Sequence, residues 1–218
     1  MRAFLRNNGL SLVFVALFLV AMAGQFFTGF SEHNKERQEE GRKALTKTEY
    51  VQSGHFIEST FENWESEFLQ MALFVVLTIS LRQKGSSESK SMDGEDEVDR
   101  EPKPGMKGAP WPVRKGGFIL KLYKNSLTIA LLVLFILSFI LHFYGSFKDE
   151  NEQLVFHGKP AESAGHFLLS SRFWFESFQN WQSEFLSVFA IVILSVFLRQ
   201  QGSSQSKPVD AAHGETGG

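Results

Sequence analysis

Two stretches of the sequence decide the fold. Asn63–Leu77 reads NWESEFLQMALFVVL, and Asn180–Leu194, 117 residues later, reads NWQSEFLSVFAIVIL. When the chain is aligned with itself at this spacing, seventeen of the 30 residues in 61–90 are identical to their counterparts in 178–207. The polar matches are the most informative, because hydrophobic composition cannot explain LRQKGSSESK against LRQQGSSQSK. The sequence therefore predicts an internal duplication.

The same spacing aligns the first apolar segment of each copy, with fewer identities. Phe26 falls opposite Phe143, and Gln25 falls opposite His142. Each copy then consists of a span, a polar loop, an aromatic and acidic helix start, a second span and a basic exit. Because each copy crosses the membrane an even number of times, both copies enter in the same direction and form a parallel repeat.

The apolar segments are long enough to cross a bilayer as helices. Leu10–Phe30 and Ser126–Tyr144 each hold about 20 residues, which is roughly 30 Å of helix. The segments that follow the two NW motifs are shorter, but interfacial Trp and Arg side chains extend them at both ends. We therefore predict an all-α membrane protein with four transmembrane helices as two parallel-repeat helical hairpins, at 9–30, 64–83, 122–145 and 181–200.

These spans divide the chain into two repeats, a linker and a tail. The first repeat covers 1–83 and the second covers 118–201. The linker 84–117 is rich in Ser, Gly, Pro and acidic residues and poor in apolar ones. Such a composition predicts a disordered cytoplasmic linker, and we expect the tail 202–218 to be disordered as well.

The amino-terminal segment has a second interpretation. A basic start, an apolar stretch and the A-x-A pattern Ala21-Met22-Ala23 are also typical of a secretory signal peptide cleaved after Ala23. The repeat favours a retained span, because the first apolar segment has a counterpart in the middle of the chain.

Orientation follows from the basic residues near the span ends. One side of the predicted membrane has many of them: Arg2, Arg6, Arg82, Lys84, Lys121, Lys124 and Arg199. This asymmetry predicts that both termini and the linker are cytoplasmic. The loops 31–60 and 148–175 then face the exterior.

The repeated motif is explained first as a membrane anchor. Trp64 and Trp181 are predicted to lie at the level of the lipid headgroups, and Arg82 and Arg199 to reach the opposite interface. The other positions that the two copies share in this motif include Asn63, Ser66 and Phe68, with Asn180, Ser183 and Phe185.

Anchoring explains Glu67 and Glu184 less well, because they lie inside the tryptophans at the start of the apolar run. Polar residues within a span usually face protein or water. We hypothesise that Glu184 contacts His142 and that Glu67 contacts Gln25, within or across the repeats. A carboxylate–imidazole pair in a dry site can bind a proton near neutral pH, whereas the alternative is a structural hydrogen bond between helices.

Several function classes find no support in the sequence. The chain has no cysteine, which excludes thiol catalysis and Cys-ligated metals. Nucleophile-elbow, phosphate-loop, zinc-protease and dinucleotide motifs are missing. The basic residues are dispersed along membrane flanks, which argues against nucleic-acid binding. We predict no catalytic residue, no metal ligand and no cofactor.

The motif residues support a resemblance to a known family. N-W-x-S-E-F-L before a span that ends L-R-Q-x-G-S, together with the amino-terminal span, resembles a family of bacterial four-span membrane proteins classed as a domain of unknown function. The resemblance covers nearly the whole chain outside the linker and tail. It implies a location in the bacterial inner membrane, and it implies no activity and no site.

The leading functional interpretation is a non-enzymatic structural or accessory membrane component. Its expected partners are membrane lipids and either further copies of itself or a larger membrane complex. The alternative is a small proton- or ion-linked transporter or channel that uses Glu67 and Glu184 near the outer face. A membrane enzyme acting on lipid is the third interpretation, although no spacing in the external loops singles out a site for it.

Overall fold

The computed structural model describes residues 2–217, and every regular element in that range is helical. Four helices are long: α1 (Arg2–Glu39), α3 (Gly54–Ser80), α6 (Ser126–Phe156) and α8 (Ser171–Phe197). Four are short: α2 (Lys47–Val51), α4 (Trp111–Lys115), α5 (Gly117–Lys124) and α7 (Ala164–Leu168). All six prolines lie outside the long helices, whose backbone hydrogen bonds are therefore not interrupted by a missing N–H. The prediction of an all-α chain is confirmed.

Three helical segments are long and apolar enough to cross a membrane. They are Ala3–Glu39, Ser126–Phe156 and Ala164–Phe197, with mean hydropathies of 2.3, 2.5 and 1.4 in their most apolar stretches. These lengths and compositions are those of membrane spans. Helix α3 is not among them, so the fourth span stays a prediction.

The helices extend beyond the predicted spans at several ends. Helix α3 begins ten residues before the predicted 64, and α8 begins ten residues before the predicted 181. Both end three residues earlier than predicted, at Ser80 and Phe197. Hydropathy locates apolar residues, whereas a helix continues through polar ones as long as its backbone hydrogen bonds form. These extra turns determine which polar residues come together.

Two compact units make up the chain. Residues up to Thr60 together with Phe143–Ala164 form the first unit, and the remaining residues form the second. In the first unit the ring of Tyr50 is buried among Phe26, Phe30 and Phe56, at centroid distances of 5.8, 5.6 and 5.3 Å. Its hydroxyl occupies the space next to Gly29. This aromatic core fixes α2 against α1 and the start of α3.

Two glycines let α3 and α6 touch through their backbones in the first unit. A Cβ on Gly145 would lie 2.3 Å from the backbone nitrogen of Glu58, and one on Gly54 would lie 2.7 Å from the carbonyl oxygen of Gly145. No side chain fits at either distance. The crossing therefore requires glycine at both positions, as in close helix pairs within membranes.

The two loops that follow α1 and α6 have the same hydrogen bonds. The Asn34 amide donates to the carbonyl of Leu45 and accepts from its N–H, at 3.0 and 2.7 Å. The Asn151 amide makes the same two bonds with Glu162, at 3.4 and 2.6 Å. Each asparagine thus closes its loop onto the end of the preceding helix.

In the second unit the exits of α3 and α8 are turns built by serine side chains. The Gln83 N–H donates to Ser89 Oγ at 3.0 Å, and the Gln200 N–H donates to Ser206 Oγ at 2.9 Å. Gly85 and Gly202 have φ values of 87° and 83°, a left-handed conformation that favours glycine. The matching sequences LRQKGSSESK and LRQQGSSQSK therefore specify one turn, made twice.

The linker and tail contain short elements and local hydrogen bonds, and their disorder stays a prediction. The linker 84–117 has a 3₁₀ turn at Glu97–Asp99 and the helix α4. Ser91 bonds Asp96 through its hydroxyl and its N–H, at 2.7 and 3.1 Å. In the tail the Lys207 ammonium donates to three backbone carbonyls. These hydrogen bonds come from polar side chains, in keeping with the low apolar content of both segments.

Candidate functional site

Ionisable side chains from α3, α6 and α8 meet in the second unit. We call this group the His142 cluster and define it as Glu65 of α3, His142 of α6, and Glu176 and Trp181 of α8. Glu65 and His142 are completely buried, with 0% of each side chain exposed, and Glu176 is 16% exposed. Fully buried charged groups are rare in proteins unless they are paired.

Glu65 connects all three helices. Its Oε2 lies 2.6 Å from His142 Nδ1, and its Oε1 accepts a hydrogen bond of 2.9 Å from the indole N–H of Trp181. A carboxylate only accepts hydrogen bonds, so we assign a proton to Nδ1 of the imidazole. Both oxygens of the buried carboxylate are thereby satisfied.

The other nitrogen of the imidazole faces a second carboxylate. His142 Nε2 lies 3.6 Å from Glu176 Oε2, which is beyond hydrogen-bond distance. This buried nitrogen makes no hydrogen bond among the described residues. The other oxygen of Glu176 accepts from Arg172 Nε at 2.9 Å, one turn earlier on α8.

Aromatic rings keep the cluster dry. The buried ring of Phe173 lies 5.0 Å from the imidazole of His142, and the buried ring of Phe167 lies 5.9 Å from Phe173. A dry environment strengthens the attraction between charges and raises the cost of leaving one of them without its partner. The cluster therefore holds the three helices together.

The structure pairs His142 differently from our hypothesis. Its partners are Glu65 and Glu176, whereas we predicted Glu184. Glu184 lies eight residues after Glu176, about 12 Å further along α8. The hypothesis began the helix at 181, so it left out the turns that bring Glu176 to the level of His142.

Gln25 also has partners other than the predicted Glu67. In the first unit its side-chain amide donates to the carbonyl of Ser59 at 3.2 Å and to Thr60 Oγ1 at 3.3 Å. The cause is the same, because α3 begins at Gly54 and its early turns lie at the depth of Gln25.

Glu67 and Glu184 lie near each other instead, in the second unit. They are close enough for their charges to interact. Two carboxylates repel each other. The two acids of the repeated motif thus lie together, separate from the His142 cluster.

The remaining motif residues have local structural contacts. The hydroxyls of Ser66 and Ser183 donate to the carbonyls of Asn63 and Asn180, each at 2.9 Å. The shared phenylalanine differs in exposure between the two stretches, since Phe68 is half-buried and Phe185 is exposed.

The tryptophans and arginines predicted as anchors also bind protein. Trp64 packs edge-on against Phe61 with 5.0 Å between ring centroids, whereas the Trp181 indole donates a hydrogen bond to Glu65. Arg82 and Arg199 each donate to the last carbonyls of their own helix, for example those of Ile79 and Val196. They are therefore helix caps, whether or not they also reach an interface.

Sequence reasoning missed Glu65 and Glu176, although the sequence contains a signal for the first. Glu65 lies seven residues before Ala72, which is also buried, so the two share one face of α3. On α6 the buried Ser138, His142 and Ser146 follow each other at four-residue spacing. Small and polar residues at such spacing within an apolar helix mark the side that faces protein.

Metal binding finds no support in the described part of the chain, where no group of three or more His, Asp or Glu side chains could hold an ion. The chemistry that the His142 cluster offers is proton binding. Its groups are an imidazole and carboxylates, and their protonation states respond to one another.

No curated protein and no solved structure matches the chain. One family matches, and the match covers residues 1–218. Its description is Domain of unknown function (DUF6766), in agreement with the resemblance to a family of that class noted from the sequence. The chain belongs to this family.

Proposed function

We propose that the protein is a non-enzymatic structural or accessory component of the bacterial inner membrane, built from two copies of one two-span unit. It associates through its apolar helix faces with further copies of itself or with a larger membrane complex. The observation that carries this proposal is the exposure of those faces. In α1 none of the most apolar 18-residue stretch is buried, and in α6 and α8 the buried shares are 17% and 11%.

Duplication is supported by the positions of the helix ends. Helix α8 (Ser171–Phe197) has the same length as α3 (Gly54–Ser80) and lies 117 residues later at both ends. The carboxyl ends of α1 and α6, Glu39 and Phe156, have the same separation. The asparagine-closed loops and the serine turns repeat at this spacing too, without an insertion.

The same correspondence supports α3 as the fourth span. Its counterpart α8 lies in a segment that is long and apolar enough to cross a membrane. A four-span chain has both termini on one side, and the excess of Lys and Arg near the span ends on that side favours the cytoplasm.

Association is supported by an open small-residue site on α1. No heavy atom of the described chain lies within 4 Å of the position that a Cβ on Gly24 would occupy. Small residues exposed on a transmembrane helix let another helix approach closely. Another transmembrane helix can therefore pack against this face.

The test is the native mass of the full chain, extracted with its lipids and purified together with any stoichiometric partner. We expect an oligomer or a defined complex, and Gly24→Leu should reduce it to the single chain by blocking the close approach. Gly9→Leu is the matched control, because Gly9 is equally open but lies near the start of α1. A single chain without a partner in the unmodified protein would contradict the proposal.

A second candidate function is proton- or ion-linked transport, and the Glu67–Glu184 pair favours it. Two neighbouring acids within predicted spans can take up and release a proton during transport. The test is proton flux in liposomes, where Glu67→Gln and Glu184→Gln should each abolish transport while Ser183→Ala, which loses only a hydrogen bond within its own helix, should not. The absence of flux in the unmodified protein would exclude this candidate.

A further inference from the structure

We propose that the His142 cluster is a proton-binding site, in which a proton held between His142 Nε2 and Glu176 Oε2 joins α6 to α8. This site is distinct from Glu67 and Glu184. Neither of the two functions proposed above, association through the apolar helix faces and transport through Glu67 and Glu184, requires the His142 cluster. The ligand is a proton that enters from the side of Glu176.

Two acceptor atoms face each other at this contact when the imidazole is neutral. Nδ1 of His142 donates to Glu65, so in a neutral imidazole Nε2 is a bare acceptor that faces the carboxylate of Glu176 at 3.6 Å. Two facing acceptors repel each other. A single proton added to either atom turns this contact into a hydrogen bond, and no other bond has to form or break.

The spacing also excludes a water molecule between these two atoms. A bridging water would need about 4.5 Å between them, given two hydrogen bonds of ordinary length. At 3.6 Å the gap is too short for that and only slightly too long for a direct bond. A small rotation of the Glu176 side chain closes it.

The charges around the ring favour a bound proton. From α3 the ring faces the carboxyl groups of Glu62 and Glu65, and from α8 it faces Glu176. The guanidinium of Arg172 bonds Glu176. The carboxyl groups that face the imidazole favour a positive imidazolium over a neutral ring, and they act against the cost of burying that charge.

Exposure defines the entry side. Glu176 is 16% exposed, whereas Glu65 and His142 are 0% exposed, so a proton reaches the imidazole through Glu176. Beyond Glu65 the chain of hydrogen bonds ends at the indole of Trp181, which can donate but not accept. The cluster therefore binds and releases a proton on one side and does not conduct it further.

The site occurs once in the chain. The counterpart of His142 at the 117-residue spacing is Gln25, and the counterpart of Glu176 is Ser59. The contact between Gln25 and Ser59 uses groups that do not titrate. Proton binding is thus a property of the second copy alone.

The test is a pH titration of the full-length protein in lipid nanodiscs with ¹⁵N-labelled histidine, observed by NMR. The signal of His142 is assigned by its loss in His142→Gln, and the exposed His157 serves as an internal reference. We expect Nδ1 and Nε2 of His142 to show a reversible protonation step. Glu176→Gln, which preserves side-chain size, should move its midpoint by at least tenfold in proton concentration.

Glu184→Gln, two turns further along α8, is the matched control and should leave the midpoint of His142 unchanged. A His142 ring that stays neutral in one tautomer between about pH 5 and 8 would overturn the proposal. So would a midpoint that is the same in Glu176→Gln and in the unmodified protein.

Discussion

The contacts of Gln25 and of His142 show how one helical arrangement carries two kinds of chemistry. Both residues lie on the first long helix of their copy and face the early turns of the second, at Ser59 and at Glu176 respectively. In the first copy an amide meets a hydroxyl and a carbonyl. In the second copy an imidazole meets a carboxylate, and Glu65 of α3 completes the group. Counterpart positions thus make similar contacts in the two units, and the ionisable groups occur at one of them only.

This difference predicts that the two contacts contribute unequally to stability. Neutral hydrogen bonds between membrane helices each contribute little, about 0.6 kcal/mol on average. A buried ion pair contributes little as a whole but is costly to break on one side. The contact of Gln25 is therefore a weak structural hydrogen bond. The contacts of His142 are more important, because the packing of three helices depends on them.

The largest effect is expected from Glu65→Ala. It leaves the imidazole of His142 and the indole of Trp181 without their shared acceptor, at a cost of about 3–5 kcal/mol in the free energy of unfolding. Gln182→Ala, at the counterpart position, should cost less than about 0.5 kcal/mol because Gln182 is exposed. Denaturant unfolding in detergent micelles measures both variants. Equal losses in the free energy of unfolding would show that Glu65 has no greater structural importance than its counterpart Gln182.

The next largest effect is expected from Gly145→Val. Its Cβ would lie 2.3 Å from the backbone nitrogen of Glu58, so α3 and α6 must separate, at a cost of about 1–3 kcal/mol. The counterpart of Gly145 is Thr28, which is exposed on α1. Thr28→Val should therefore change the unfolding midpoint little. A tolerated valine at 145 would mean that the backbone contact does not form.

Asn34→Ala and Asn151→Ala should destabilise the protein to the same extent. Each removes two hydrogen bonds that close a loop, worth about 1–2 kcal/mol together. The measurement is the same unfolding assay, with Asn8→Ala as a control, because Asn8 bonds only its own helix. Losses that differ by more than about 1 kcal/mol would show that the two loops are not equivalent.

The smallest effect is expected from Gln25→Leu. Its hydrogen bonds to Ser59 and Thr60 are 3.2 to 3.5 Å long, so their loss should cost about 0.5 kcal/mol. His142→Leu in the same assay should cost several times more, because it leaves Glu65 buried without its imidazole. Similar losses for the two variants would contradict a special role for the second copy.

The sequence predicted the helices better than their contacts. Apolar runs located α1 and α6, because twenty consecutive apolar residues have few alternatives to a membrane helix. The first turns of α3 and α8 are polar, so hydropathy did not include them in the spans. Those turns hold Ser59 and Glu176, which is why Gln25 and His142 were assigned the wrong partners.

The prediction chose the wrong acidic partners for Gln25 and His142 for a related reason. It selected Glu67 and Glu184 because this glutamate occurs in both repeated stretches. Glu65 has Gln182 as its counterpart, so its role is specific to one copy and self-alignment could not reveal it. The face that it shares with Ala72 was the available clue.

The most direct test of the duplicated four-span account is the sidedness of α3. The chain has no cysteine, so single cysteines can be introduced at counterpart positions without other changes. Lys43→Cys and Pro160→Cys probe the loops after α1 and α6, and Asp93→Cys and Asp210→Cys probe the linker and the tail, all at exposed positions. A membrane-impermeant thiol reagent should label 43 and 160 in spheroplasts, and 93 and 210 only after permeabilisation. Labelling of 43 and 93 from the same side would show that α3 does not cross the membrane, and it would contradict the account.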